Sequence, residues 1–193
     1  MTALEKTEKL PCSFGVYQKI SKIKLLALDV DGVLTDGSIN MGAEGEIFKA
    51  FNVKDGLGIS CALRNDISIA IITGRKSPII HNRAKELGIE LLSEGVKDKY
   101  SELMRIAKEL KLSREEVAYM GDDLNDLAAF RAAGIKFAPA DAVHEVLAAA
   151  DYISTKNGGQ GAVREVIERI LSSQGKWQGI VTAYSSCGQG DKQ

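Results

Sequence analysis

Cysteine and histidine are scarce in this sequence of 193 residues, which contains three cysteines and two histidines. Cys12, Cys61 and Cys187 lie far apart and form no CxxC pair, so a thiolate metal centre is not expected. An odd number of widely spaced cysteines favours free thiols in a reducing compartment. His81 and His144 are isolated, and neither is predicted to be a metal ligand.

Long apolar runs and an excess of one charge are also absent. No stretch of about 18 apolar residues occurs, so no membrane span is predicted. The first nine residues are polar, and no apolar signal-peptide region follows them. The 25 basic and 26 acidic residues nearly cancel, which argues against a nucleic-acid or membrane-surface partner. We therefore expect a cytoplasmic protein that binds a small molecule.

Short apolar runs alternate with amphipathic segments along most of the chain. The strongest predicted strands end in polar residues and cover residues 24–30, 68–72 and 117–120. Weaker strands are predicted at residues 90–92, 135–138 and 152–154. Helices are predicted at residues 57–64, 77–87, 98–110, 124–132, 143–149 and 162–171. This order predicts an α/β fold with a Rossmann-like, doubly wound parallel sheet covered on both faces.

One segment interrupts the alternation. Residues 38–51 contain two extended pieces around Gly42-Ala43-Glu44-Gly45, the pattern of a β-hairpin. We expect an N-terminal extension at residues 1–20, one domain at residues 21–172 with the hairpin inserted, and a flexible tail at residues 173–193 that is rich in Gly, Ser and Gln.

Acidic and hydroxyl residues follow the three strongest strands. Asp29 and Asp31 follow the first, Thr73 the second, and Asp122 and Asp123 the third. In open α/β sheets, ligands bind outside the carboxyl ends of the strands. Carboxylates that converge there repel one another unless a cation lies between them, and oxygen ligands suit Mg²⁺. The alternative is a purely structural role, in which these aspartates only form turns and cap helices.

The pattern suits phosphoryl transfer, which needs a nucleophile, a proton donor and cations around the phosphate. Asp29 is the candidate nucleophile, and Asp31 is the candidate general acid and base. Asp122 completes the predicted metal site, with Asp123 and Asp126 in support.

Two further groups are candidates for contacts with the phosphate. Thr73 offers a hydroxyl and neighbouring backbone amides. Lys99 lies at the start of a predicted helix, where the ammonium charge and the helix dipole both favour an anion.

Four segments in a fixed order carry a family resemblance. Residues 29–37 (DVDGVLTDG), residues 71–75 (IITGR), Lys99 and residues 121–126 (GDDLND) resemble the four motifs of the haloacid dehalogenase-like phosphatase superfamily. A single DxD is a weak signal, whereas the ordered set is very specific. The resemblance implies the superfamily's Rossmann-like fold and an aspartyl-phosphate intermediate.

Three longer segments narrow the resemblance. Residues 41–59, 69–77 and 158–166 are similar to the family of 3-deoxy-D-manno-octulosonate 8-phosphate (KDO 8-phosphate) phosphatases of lipopolysaccharide synthesis. This implies hydrolysis of KDO 8-phosphate to KDO and phosphate. It also implies Mg²⁺ held by the side chains of Asp29 and Asp122 and by the backbone carbonyl of Asp31.

The resemblance also implies a set of substrate contacts. The residues expected to bind substrate are Asn52, Val53, Lys54, Asp55, Gly56, Ser60, Gly74, Arg75, Arg83 and Lys99. An arginine can meet a sugar-acid carboxylate with a two-pronged hydrogen bond. The family often has Arg where Ser60 and Gln160 stand here, which leaves the sugar specificity open.

The intervals between the motifs are too short for a cap domain, the lid that covers the site in larger superfamily members. The family instead forms a homotetramer through its hairpins, and a neighbouring subunit helps to cover each site. Ile39, Met41, Ile47, Phe48 and Phe51 offer apolar surface for such contacts at residues 38–51. The alternative is that they pack against their own domain.

Three other functions remain open at this point. The first is a phosphatase for another sugar-acid phosphate of the N-acylneuraminate 9-phosphate type. The second is a phosphatase for a phosphoprotein or a nucleic-acid end, against which the balanced charge argues. The third is a non-catalytic binding or scaffolding relative, although Asp29 and Asp31 are both present.

Overall fold

A computed structural model describes residues 14–186 of the chain. The strands are β1 (Leu25–Leu28), β2 (Asn40–Gly42), β3 (Gly45–Phe48), β4 (Ser68–Ile72), β5 (Leu91–Ser93), β6 (Val117–Met120), β7 (Ile135–Ala138) and β8 (Tyr152–Ile153). The α-helices are α1 (Phe14–Ile20), α2 (Val53–Leu63), α3 (Pro78–Leu87), α4 (Lys99–Glu109), α5 (Leu127–Ala132), α6 (His144–Ala149), α7 (Ala162–Ser173) and α8 (Trp177–Ser185).

Six of the strands form a parallel sheet in the order β5-β4-β1-β6-β7-β8. The first strand of this sheet, β1, lies in its middle. The next two strands, β4 and β5, lie on one side of β1, and β6, β7 and β8 lie on the other side. This reversal creates a crevice at the carboxyl end of β1, where ligands bind in such sheets. The predicted α/β, doubly wound architecture is confirmed.

Alternate residues of each central strand face opposite layers of helices. Leu26 and Leu28 of β1 pack in one apolar cluster with residues of α2 and α7. Leu25 and Ala27 pack in a second cluster with residues of α4 and α5. Because a strand alternates its side chains, apolar runs such as residues 25–28 are buried on both faces.

Helix capping explains where the structure departs from the predicted boundaries. α2 begins at Val53 rather than residue 57, because the Asn52 side chain accepts a hydrogen bond from the Lys54 amide at 2.9 Å. α4 begins at Lys99, and Asp98 caps it through the Ser101 amide at 3.1 Å. The predicted helix at residues 124–132 is a short 3-10 turn, Leu124–Asp126, followed by α5.

The inserted hairpin is a separate two-stranded sheet formed by β2 and β3. The two strands are antiparallel, and Gly45 at the turn has a φ of 121°, a value that favours glycine. The hairpin predicted at residues 38–51 is therefore present in the structure.

The segment expected to be a flexible tail contains α8 in the structure. Trp177 and Ile180 pack against the core, and the Arg164 guanidinium lies 4.9 Å from the centre of the Trp177 ring. This apolar contact gives the segment a surface on which a helix is stable. Residues 1–13 and 187–193, which include Cys12 and Cys187, lie outside the described residues. Within residues 14–186, no helix has the length and apolar character needed to cross a bilayer.

Candidate active site

Three neighbouring strands bring acidic and hydroxyl side chains to one edge of the sheet. Asp29 directly follows β1, Thr73 directly follows β4, and Asp122 lies just beyond β6. β1 pairs with both β4 and β6, so the three strand ends are adjacent. Asp29 and Thr73 are buried, and Asp122 is half-buried.

Lys99 lies at the centre of this site. Its Nζ atom is 2.8 Å from Asp29 Oδ1 and 2.6 Å from Asp126 Oδ1, and its side chain is almost fully buried. Burial alone lowers the pKa of Lys99, but the charges of Asp29 and Asp126 outweigh it, and the pKa is raised. Lys99 is therefore a cation beside the candidate nucleophile, held at the first residue of α4.

Asp126 is held in place by hydrogen bonds to both of its carboxylate oxygens. Tyr119 donates a hydrogen bond to Asp126 Oδ1 at 2.8 Å, and the backbone amides of Asp122 and Asp123 donate to Asp126 Oδ2 at 2.9 and 3.3 Å. Both oxygens of Asp126 are thus occupied, which suits an orienting role better than direct binding of a metal. Asp123 is exposed and accepts a hydrogen bond from the Leu124 amide at 2.7 Å.

Asp29, Asp122 and Asp126 form a group whose ligand atoms all lie within 4.8 Å of one another. Burial, followed by the charge of Asp126, raises the pKa of Asp29 to about 6. Burial, followed by the charges of Asp29 and Asp126, raises the pKa of Asp122 to about 8. Such shifts mark carboxylates that lack sufficient positive charge nearby.

The donor set fits a divalent cation. Asp122 Oδ1 is buried and has no hydrogen-bond partner among the described residues. Burying a carboxylate oxygen without a hydrogen-bond donor costs free energy. A hard cation such as Mg²⁺ can offset this cost, because it prefers oxygen ligands. Asp29 and Asp122 are therefore the side chains that would hold Mg²⁺, together with the backbone carbonyl that the resemblance assigns to Asp31.

Asp31, the candidate general acid, has partners that the sequence did not predict. Lys49 Nζ donates a hydrogen bond to Asp31 Oδ1 and lies 2.8 Å from Glu46 Oε1. Lys49 follows β3, so the hairpin reaches the active site. No motif marks Lys49 or Glu46, and alternation along β3 would not have found both, because residues three apart fall on opposite faces of a strand.

Thr73 and its neighbours form a turn at the end of β4. The Thr73 hydroxyl oxygen accepts a hydrogen bond from the Arg75 amide at 3.3 Å, and the Thr73 carbonyl accepts one from Val96 at 3.0 Å. Gly74 and Arg75 are exposed at this edge.

Several of the expected substrate residues surround a narrow cleft beside α2 and α3, which has room for about one water molecule. Arg83, Phe51, Asn52, Asp55 and Gly56 line it. The Arg83 guanidinium carbon lies 5.6 Å from the centre of the Phe51 ring, and Arg83 Nη1 donates to Glu86 at 2.8 Å. Arg83 Nε is buried and has no partner within residues 14–186.

Three other substrate candidates on α2 do not line this cleft. Val53 and Lys54 are exposed at the start of α2, and Ser60 is half-buried further along that helix. Asp55 is buried, and its Oδ1 atom accepts a hydrogen bond from the Arg164 amide at 2.7 Å. Asp55 therefore ties α2 to α7 in addition to lining the cleft.

The Gly158-Gly159 turn is a further feature that the sequence did not assign to the site. An added Cβ at Gly158 would lie 1.8 Å from the Gly32 carbonyl oxygen. The Gly159 amide donates to the Val33 carbonyl at 3.0 Å, and Asn52 Nδ2 donates to the Gly159 carbonyl at 3.2 Å. This turn therefore packs directly on the loop that carries Asp29 and Asp31.

Comparison with known proteins places this site in a family. Residues 89–167 match the family model described as haloacid dehalogenase-like hydrolase. The 3-deoxy-D-manno-octulosonate 8-phosphate phosphatase of Escherichia coli is 48% identical over 166 residues, which are 86% of this chain and 88% of that protein. The Yersinia pestis phosphatase of the same name is 45% identical over 169 residues, or 88% and 90% of the two chains.

Solved structures agree with the sequence matches. The Moraxella catarrhalis phosphatase, in complex with magnesium, phosphate and KDO, has a TM-score of 0.86 and 44% identity, covering 89% of this chain and 99% of that one. The cobalt-bound Haemophilus influenzae enzyme has a TM-score of 0.84 and 44% identity, covering 86% and 98%. The chain therefore belongs to the 3-deoxy-D-manno-octulosonate 8-phosphate phosphatase family of haloacid dehalogenase-like hydrolases.

Proposed function

We propose that this chain hydrolyses KDO 8-phosphate to KDO and inorganic phosphate with Mg²⁺, as a step of lipopolysaccharide biosynthesis. The observation that carries the proposal is the arrangement of Asp29 and Asp122 beside Lys99 at adjacent strand ends. The family membership supports a phosphomonoester hydrolase, and the bound KDO, phosphate and magnesium in the Moraxella relative support the substrate and the metal. An N-acylneuraminate 9-phosphate substrate is not favoured by these relatives.

In the first half of the proposed reaction, a carboxylate oxygen of Asp29 attacks phosphorus. A bond forms between Asp29 and phosphorus while the bond between phosphorus and the sugar oxygen breaks. Asp31 gives its proton to that sugar oxygen, and KDO leaves as the neutral alcohol. The product of this half-reaction is an aspartyl-phosphate on Asp29.

In the second half, water replaces the enzyme as the group bound to phosphorus. Asp31, now a carboxylate, takes a proton from the water as its oxygen attacks phosphorus. The bond from Asp29 to phosphorus breaks, inorganic phosphate leaves, and Asp29 returns to its carboxylate form. Asp31 again carries the proton that the next cycle needs.

Lys99 and Thr73 supply stabilisation during both halves. The Lys99 ammonium lies beside Asp29, so it offsets negative charge on the phosphoryl group. We propose that the Thr73 hydroxyl and the Gly74 amide donate hydrogen bonds to phosphate oxygens, while the Arg75 amide donates to the Thr73 hydroxyl oxygen. Mg²⁺, when bound, contributes positive charge at the same oxygens and shields Asp29 from the incoming phosphate.

The sugar-acid end of the substrate is proposed to lie against α2 and α3, outside the narrow cleft, which has room for about one water molecule. Arg83, whose Nε has no partner within the described residues, suits the substrate carboxylate. Arg75 is exposed at the end of β4 and is a second candidate for this contact. Asn52, Val53, Lys54, Gly56 and Ser60 are proposed to complete the contacts with the sugar.

We also propose that the chain forms a homotetramer through the hairpin at residues 38–51. Four apolar hairpin residues are about half exposed or more: Ile39 (49%), Met41 (61%), Ile47 (63%) and Phe48 (53%). Apolar surface of this kind on a small two-stranded sheet is typical of an interface. A cytoplasmic location suits the substrate, since a phosphorylated sugar acid is too polar to cross a bilayer.

The test of the proposed activity is phosphate release from KDO 8-phosphate, measured with Mg²⁺ and with EDTA. Asp29→Asn removes the nucleophile, and we expect turnover to fall at least about 10³-fold while the circular dichroism spectrum is unchanged. His144→Gln, an exposed change on α6, serves as the control and should keep wild-type turnover. Equal turnover with EDTA, or a fully active Asp29→Asn variant, would refute the proposal.

A further inference from the structure

Lys49 is a buried cation that the proposed mechanism above does not use. Its side chain is only 1% exposed, although it directly follows a hairpin whose other residues are largely exposed. Burying an ammonium group is costly unless charged partners surround it. Lys49 has two such partners: Asp31 on the active-site loop, and Glu46, three residues earlier on β3.

Glu46 is itself anchored to the start of α3. Ser77, the N-cap residue of α3, donates its hydroxyl hydrogen to Glu46 Oε2, and the Ser77 amide donates to Glu94 Oε1 at 2.9 Å. The Ser77 hydroxyl oxygen also accepts a hydrogen bond from the Ile79 amide at 3.3 Å. Glu46 thus has a fixed position, and it holds Lys49 through a second contact besides the one to Asp31.

The backbone of the loop after Asp31 has its own supports. The Thr35 hydroxyl oxygen accepts hydrogen bonds from the Gly32 amide at 3.3 Å and from the Gly37 amide at 3.2 Å. These contacts fix the main chain but not the rotamer of the Asp31 side chain. The contact from Lys49 to Asp31 Oδ1 fixes that rotamer.

The choice of oxygen matters for the chemistry. Because Lys49 donates to Asp31 Oδ1, that oxygen is engaged by an ammonium hydrogen. Oδ2 is therefore the oxygen of Asp31 that is left to face the leaving group. Lys49 also attracts the Asp31 carboxylate toward the hairpin and away from the acidic group of Asp29, Asp122 and Asp126.

We propose that Lys49 is a positioning residue for general acid catalysis, which holds Asp31 by Oδ1 so that Oδ2 faces the leaving oxygen. This inference rests on the proposed function, in which Asp31 protonates the departing alcohol. It also gives the hairpin a direct connection to the chemistry, because Lys49 and Glu46 both belong to the hairpin segment at residues 38–51.

If Lys49 positions Asp31, the loss of activity on replacing Lys49 depends on the leaving group of the substrate. An alkoxide is a strong base and needs protonation as it departs, whereas p-nitrophenolate is a weak base and departs without it. A residue that only stabilises the fold would affect both kinds of substrate equally. The ratio kcat/KM is the suitable measure, since it reports the steps up to release of the alcohol.

The experiment compares kcat/KM for p-nitrophenyl, phenyl and benzyl phosphate, which are similar in size and lack the sugar. For Lys49→Met we expect a loss of about 10²-fold with benzyl phosphate and of less than about 5-fold with p-nitrophenyl phosphate. Lys49→Gln keeps an N–H donor and should show the same trend with smaller losses. Lys108→Met, on the exposed side of α4, should match the wild type with all three substrates.

Equal losses with all three substrates, or no loss with any, would overturn the inference. Lys49→Gln provides the result if Lys49→Met does not fold, and light scattering with each variant checks that the assembly is unchanged. Wild-type turnover of KDO 8-phosphate is measured in parallel. Its absence would refute the proposed substrate while leaving the leaving-group comparison interpretable.

Discussion

Asp29, Asp122 and Asp126 lie close together, and Lys99 is the cation in contact with two of them. One ammonium does not balance three carboxylates, and the raised pKa values of Asp29 and Asp122 follow from burial and from this repulsion. The site is therefore strained without a metal, and Mg²⁺ bound to the folded state relieves that strain.

Asp122→Asn tests this electrostatic account in metal-free protein. The pKa of Asp122 rises from 3.8 to about 8 on folding, so the folded state holds the proton more tightly. Wild-type stability should therefore fall as the pH rises from about 4 to about 8. In EDTA at pH 8 we expect Asp122→Asn to melt higher than the wild type by about 2–4 °C for each kcal/mol of repulsion removed, and by less at pH 5.

The control for this measurement is Glu90→Gln, a change at an exposed residue before β5, which should show no such dependence on pH. Mg²⁺ is expected to raise the melting temperature of the wild type, by an amount that corresponds to about 2.7 kcal/mol at 100 times the dissociation constant. An Asp122→Asn protein that gains as much stability from Mg²⁺ as the wild type would contradict the assignment of Asp122 as a ligand.

At the scale of elements, the conformation of the loop after β1 depends on its contact with the turn before α7. Gly158 and Gly159 lie against Gly32 and Thr35, and the Gly158 amide also donates to Asp141 Oδ1 at 2.9 Å. The contact with the Gly32 carbonyl is so close that only glycine fits at position 158. Packing of the turn before α7 thus fixes the loop that carries the nucleophile.

Gly158→Ala should disturb this contact. The new methyl group would lie 1.8 Å from the Gly32 carbonyl oxygen, so one of the two loops has to move. We expect a loss of stability of about 1–3 kcal/mol and a lower kcat, measured by urea unfolding and by phosphate release. Gly179→Ala, in α8 with open space around it, is the control and should keep wild-type activity and gain up to about 1 kcal/mol of stability, since alanine favours a helix.

Elements that depend on local sequence patterns could be predicted, whereas those that depend on contacts between distant segments could not. The six strands of the sheet and the hairpin were predicted, because apolar runs and glycine turns act over a few residues. α8 was not predicted, because its stability depends on Trp177 and Ile180 contacting a core built from distant segments. The early start of α2 at Val53 depended on the cap provided by Asn52.

At the scale of the whole molecule, the hairpin has an exposed apolar face that a single chain leaves unexplained. Met41, Ile47 and Phe48 are each more than half exposed. A contact between copies would cover them, and the same hairpin sends Lys49 and Glu46 into the active site. Assembly and catalysis are thus expected to depend on the same element.

Phe48→Asp tests the assembly. A charge in the proposed interface should be strongly unfavourable, and we expect light scattering to report species smaller than a tetramer, with lower phosphatase activity. Met104→Asp, an exposed apolar position on α4, is the matched control and should leave the mass unchanged. An unchanged tetramer for Phe48→Asp would disprove the role of the hairpin.

The sequence by itself determined the α/β class, the order of the strands along the chain and the residues offered to the site. The positions of Asp29, Asp31, Thr73 and Asp122 at one edge of the sheet could be predicted, because each follows an apolar strand that is evident in the local sequence. The resemblance added the substrate class and residues such as Arg83, which no local pattern distinguishes from an exposed helical arginine.

Only the tertiary structure decided which charges meet. Lys49 and Asp31 are 18 residues apart, and Lys99 and Asp126 are 27 apart, so their contacts depend on how the hairpin and α4 pack on the sheet. The same holds for Gly158 against Gly32. Electrostatic and steric effects depend on distance in space, and distance in space is set by packing rather than by position in the chain.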